Sequence, residues 1–90
     1  MFEILKRKAR KHIGTKPLVI DGESYSFNQQ VLILQNHLKL ANVGFGIPHP
    51  SFDLGEKILT CWIEALVNAN DEEVTANPED YRRRINDSFR

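Results

Sequence analysis

FDLGEKILTCWIEALVNAN, Phe52 to Asn70, is the stretch on which the rest of the chain turns. At about 100° per residue, Asp53, Lys57, Thr60, Glu64 and Asn68 fall on one narrow polar strip. Leu54, Ile58, Leu59, Cys61, Trp62, Ile63, Ala65, Leu66, Val67 and Ala69 cover most of the remaining circumference. A surface helix of a globular domain usually carries a single apolar stripe. This helix must therefore be covered from at least two directions. Ninety residues supply one such cover, and a partner subunit is the natural source of another. The reading is a small helical domain that self-associates.

Working outward, the preceding segment supplies a second long helix. Ser26 and Gln29 form a capping-box pattern, and Phe27, Val31, Leu34, Leu38 and Ala41 follow as a stripe at helical spacing. Ile33 and Leu40 make a second apolar patch. The polar positions are mostly amides (Asn28, Gln29, Gln30, Gln35, Asn36), which desolvate at lower cost than charges. The expected interface between subunits is thus Ile33, Leu40, Leu59, Trp62, Ile63 and Leu66. Asn42 to Ser51, with Gly44, Gly46, Pro48 and Pro50, cannot be helical throughout and reads as the loop joining the two helices. The second helix starts at Ser51 or Asp53, and Asp53 with Glu56 is a further capping-box pattern.

The flanks are shorter elements. Phe2 to His12 reads as a helix, with Phe2, Leu5 and Ala9 on one face, KRKARK around the rest, and Gly14 as its C-terminal cap. It is read as a solvated basic helix, with a phosphate-binding arm as the alternative. Leu18 to Tyr25 is the one β-like segment, and Asp21-Gly22 favours a two-residue type I′ turn. Asp71-Glu72-Glu73 at a helix C-terminus opposes the macrodipole, so the helix stops there or these acids meet basic partners. Asn77-Pro78-Glu79-Asp80 is a strong helix start, followed by Tyr81, Ile85 and Phe89 on one stripe, with Arg82, Arg83 and Arg84 turned away. The fold class is mainly α. A helical hairpin of about 27–41 and 53–70 carries short N- and C-terminal helices and one small β-hairpin at 18–25, in a single domain of residues 1–90.

Composition narrows the function classes. The single cysteine, Cys61, forms no internal disulfide and fits a reducing compartment. No apolar run approaches a membrane span, and the N-terminus lacks a signal-peptide core. The expectation is a cytoplasmic protein with no membrane partner. Formal net charge is zero, but residues 1–16 sum to +5, residues 17–81 to −8 and residues 82–90 to +3. Two basic ends flank an acidic middle, which means polyanion binding or pairing of the ends with the middle. His12, His37, His49 and Cys61 show no ligand spacing, so neither a metal nor a cofactor is expected. No Ser/His/Asp or Cys/His set and no glycine-rich phosphate loop stands out, and the chain is not read as an enzyme.

The segment P-S-x(8)-T-x(3)-E-A-L-V-x-A-N, here Pro50, Ser51, Thr60, Glu64, Ala65, Leu66, Val67, Ala69 and Asn70, resembles a family of phage proteins. These are small helical-hairpin sponges that defeat the CBASS immune system, and they share the hairpin with a sponge acting against the Thoeris system. Asn68 stands where the family has a tryptophan, and the loop between the helices is longer here. The resemblance implies a homo-oligomer that sequesters cyclic di- and trinucleotides without cleaving them, in the host cytoplasm if phage-encoded. Such a ligand needs cations for its phosphates and flat surfaces for its bases. The candidates are Lys16, Arg82, Arg83 and Arg84, with Tyr25 as a stacking surface. The alternatives are a module that docks on a host protein, and a nucleic-acid-binding module using the basic first helix.

Overall fold

The computed structural model describes the backbone of residues 2–14, 16–43 and 50–88, with side chains over 2–14, 16–40 and 53–88. The expected loop positions 44–49, His49 among them, lie outside the described residues, as do Phe89 and the side chains of Ala41, Pro50 and Ser51. The elements run α1 (Phe2–Ile13), β1 (Leu18–Ile20), β2 (Glu23–Tyr25), α2 (Phe27–Val43), α3 (Pro50–Asn68), α4 (Glu72–Ala76) and α5 (Pro78–Asp87). The fold is mainly α with one two-stranded antiparallel sheet.

Local chemistry fixes most boundaries. Gly14 closes α1 with φ of 69° and donates its N–H to the Arg10 carbonyl at 3.0 Å, a left-handed cap that a side chain would strain. Asp21 and Gly22 both take positive φ, 52° and 83°, as a type I′ turn requires. The resulting register pairs Leu18 with Tyr25, Val19 with Ser24 and Ile20 with Glu23. The capping box opening α2 forms: the Ser26 N–H donates to Gln29 Oε1 at 2.8 Å, and the Gln29 N–H donates to Ser26 Oγ at 3.2 Å.

At α3 the expectation needs correcting. The helix begins at Pro50, so Asp53 lies in its first turn rather than at its cap, and Glu56 turns to other partners. The helix ends at Asn68 with Asn70 at φ of 59°. The Asp71 N–H reaches the Leu66 carbonyl and the Asn70 N–H the Val67 carbonyl, both at 3.0 Å, which is the Schellman arrangement. Asp71 then caps α4, a helix the sequence reading did not separate, by accepting the Val74 N–H at 3.2 Å. Asn77 caps α5 through the Asp80 N–H at 3.0 Å, with Pro78 at its start.

Trp62 sits at the middle of the core, fully buried. Its ring stacks on Phe27 with centroids 5.5 Å apart and planes 6° from parallel. Its Nε1–H donates to Gln30 Oε1 at 2.9 Å, and Gln30 Nε2 donates in turn to the Tyr25 carbonyl at 3.0 Å. Helix α3 packs on α1, α2, α4 and α5. This corrects the assigned interface at four of its six residues: Leu59, Trp62 and Leu66 are completely buried and Ile63 nearly so, within one chain. The second cover that seemed to need a partner subunit comes from α1 and the two C-terminal helices. Ile33 and Leu40 remain half-exposed, beside a cavity that also involves Leu54 and Lys39.

Helices α2 and α3 come into close contact at Gly55. A methyl group there would stand 2.3 Å from His37 Cβ, and His37 is itself buried. Gly55→Ala is expected to cost about 1–3 kcal/mol through overpacking, despite alanine's better helix propensity, and to lower the melting temperature by about 5 °C or more. Trp62→Ala is expected to cost about 3–5 kcal/mol. Thermal melts followed by circular dichroism check both; an unchanged transition for Gly55→Ala would place the two helices further apart.

Candidate ligand-binding surfaces

The three arginines of α5 do not assemble a phosphate site. Arg82 donates Nη1 to Thr60 Oγ1 at 2.9 Å and pairs with Glu56, whose other oxygen meets His37 Nε2 at 3.0 Å. This chain of contacts joins α5, α3 and α2. Arg83 pairs with Asp80 at 2.5 Å. Arg84 lies 3.3 Å from both Glu73 and Asp80, with its guanidinium over the Tyr81 ring at 5.4 Å. A guanidinium already paired to a carboxylate gives up that pair to bind a phosphate. Tyr25, proposed as a stacking surface, is half-buried and packs its ring against the core. Lys16 is exposed, and no contact joins it to Arg82, Arg83 or Arg84.

The unpaired cations lie elsewhere. Lys6 pairs with Glu3, Lys8 with Asp71 and Glu73, and Lys57 with Asp21. Among the described residues Arg7, Arg10, Lys11, Lys16 and Lys39 are in no ion pair, and the first four belong to α1 and the segment just after it. Arg10 places its guanidinium 5.4 Å from the centre of the Phe27 ring. Trp62, Phe27 and Arg10 thus form a series running from a fully buried ring to an exposed side chain. It ends at an open cavity of about 530 Å³, lined by Arg10, Gly14, Ser26, Phe27 and Asn28 where α1 ends and α2 begins. The sequence reading missed this corner. Its basic run and its cap were both visible, but nothing in one dimension says that the last turn of α1 meets the first turn of α2.

A second opening, of about 380 Å³, lies between α3 and α5. Thr60, Ile63, Glu64, Val67 and Asn68 line it from α3 at helical spacing, with Pro78, Glu79 and Arg82 opposite. Glu64 and Glu79 are exposed and in no ion pair among the described residues, and the one cation, Arg82, is already matched by Glu56. Its character is acidic over an apolar floor, the opposite of a phosphate site.

Nucleophilic chemistry finds little support in these residues. Cys61 is half-buried under the β-hairpin, where burial, reinforced by the Glu64 charge, pushes its thiol up and keeps it protonated. Among the described residues no group of three or more histidine, cysteine or carboxylate side chains is placed to hold a metal ion, and no helix is long and apolar enough to cross a membrane. Comparison with protein-family models, with curated proteins and with solved structures finds no match to this chain.

One charge cluster ties the chain's two ends to the core. Lys8 lies 3.1 Å from Asp71 and 5.6 Å from the centre of the Tyr81 ring. Burial works against ionisation of Asp71, but the Val74 N–H and Lys8 together outweigh it and hold the carboxyl below its ordinary value. A carboxylate depressed in the folded state contributes stability above its unfolded pKa, about 3.9, and loses it as pH falls through the folded value. The melting temperature is therefore expected to drop as pH is lowered below about 4, with a shallower drop in Asp71→Asn. Melts across an acid series measure this, and equal slopes in the two proteins would remove Asp71 from the account.

Proposed function

We propose that this protein is a non-enzymatic sponge for cyclic di- and trinucleotides, and that the ligand is held at the corner between α1 and α2. The observation that carries this reading is the concentration of unpaired cations there. Arg7, Arg10, Lys11 and Lys16 lie on one short stretch, beside a cavity whose wall is an arginine lying over an aromatic ring. A cyclic nucleotide presents phosphodiester charges around its ring and flat bases outside it. Arginine serves both, because its planar fork binds phosphate oxygens in pairs and its face stacks on a base. The resemblance along α3 supports the ligand class, while the free charge moves the site away from α5. Chemistry at bound phosphates would need a poised nucleophile or metal set, and sequestration needs neither.

Calorimetric titration with cyclic di- and trinucleotides tests the reading. Binding is expected for wild type, and Arg10→Ala with Lys16→Ala should weaken it by about tenfold or more, the loss of two charge-assisted contacts. Arg83→Ala should leave it unchanged. Absence of heat with every cyclic nucleotide would sink the proposal. Equal affinity for long single-stranded RNA, with a steep salt dependence, would replace the sponge by a general nucleic-acid binder.

A further inference from the structure

The acidic groove between α3 and α5 has a matching surface on the same molecule. Its floor is apolar, from Val67 and Pro78, and its unpaired charges are Glu64 and Glu79. On the outer face of α1, Ile4, Arg7 and Lys11 fall on one strip at helical spacing. Arg7 and Lys11 are exposed and unpaired, and Ile4 is 51% exposed. Ile4 is one of three large apolar side chains so exposed among the described residues, the others being Val19 and Leu32. The inner face of α1 is occupied by the core through Phe2, Leu5 and Ala9, so this outer strip is free for a second contact. The uneven charge noted in the sequence therefore appears in the fold as two unlike surfaces on one chain. A molecule of zero net charge built this way attracts its own copies in one orientation.

We propose that the outer strip of α1 from one copy docks into the α3–α5 groove of a second copy, with Ile4 over the apolar floor and Arg7 and Lys11 against Glu64 and Glu79. The two surfaces differ, so the contact is head-to-tail and propagates into a closed ring or an open chain. It does not involve the residues first assigned to the interface, of which Leu59, Trp62, Ile63 and Leu66 lie in the core. It shares Arg7 and Lys11 with the cations of the nucleotide reading, but the two tests separate. Association is measured with no nucleotide present, and the nucleotide titration rests on Arg10 and Lys16, which are outside the docking strip.

Sedimentation velocity on the full chain tests it. Wild type is expected to exceed twice its chain mass of 10.4 kDa at about 0.05 M salt and to fall toward monomer at about 0.5 M, where such pairs are screened. Glu64→Lys with Glu79→Lys should give a monomer, and so should Arg7→Glu with Lys11→Glu. In each of these variants both surfaces carry one sign, but mixing the two should restore association. The milder Glu64→Gln with Glu79→Gln should weaken association by about tenfold or more, and serves if a reversed variant fails to fold. A monomeric wild type, or association that survives both reversals, overturns the proposal.

Discussion

The hydrogen bond from the Trp62 indole to Gln30 is the constraint on which the packing depends. Burying a tryptophan removes a large apolar surface from water but leaves one N–H to be satisfied, and an unsatisfied buried donor costs about 1–3 kcal/mol. Gln30 is one of two polar side chains buried among the described residues. It accepts from Trp62 with its carbonyl and donates to the Tyr25 backbone with its amide. One side chain thereby sets α3 against α2 and anchors the end of β2. Sliding α2 by one residue would turn Gln30 away and leave the indole and the amide both unpaired. Apolar contacts tolerate small slippage; this pair of bonds does not.

How much of this is legible in the chain divides along physical lines. Elements governed by neighbours in sequence are readable: the Ser26 and Gln29 box, the Asp21-Gly22 turn, the Gly14 cap and the Asn77-Pro78 start each follow from local sterics and hydrogen bonding. The number of covered faces on α3 is readable too, since it depends only on periodicity. What covers them is not. The hydrophobic pattern says that Leu59, Trp62 and Leu66 must be buried, and it is silent on whether α1, α4 and α5 or a second chain does so. The short helix α4 escapes for a related reason: Glu72 and Glu73 look like misplaced acids until Asn70 ends α3 in a left-handed residue and Asp71 starts the next helix.

Charge is less readable than apolar pattern, because a carboxylate does not announce its partner. Arg82, Arg83 and Arg84 form the most basic run of the C-terminal half, and sequence alone makes them the natural phosphate ligands. In the fold, Glu56, Asp80 and Glu73 take them. Two of those acids lie within eleven positions of the arginine they bind, but Glu56 is 26 positions from Arg82 and pairs with it only because α5 lies along α3. The basic run of α1 keeps more of its charge free because its inner face carries the apolar residues and leaves Arg7 and Lys11 pointing outward. The residues that remain to meet a ligand are the ones the folded chain does not itself use.

The contact between Lys8 and Asp71 spans 63 positions, and this has a consequence for how the protein is made. Helix α1 leaves the ribosome before the partners that seat it, which are α3, Asp71 and the Tyr81 ring. Until α3 emerges, the apolar face of Phe2, Leu5 and Ala9 lacks the helix it packs on, while α2 and the β-hairpin already have each other. The nascent chain therefore passes through a stage in which a short cationic amphipathic segment is presented without its partners. The solubility of that stage rests on the same lysines and arginines that the finished fold leaves facing water.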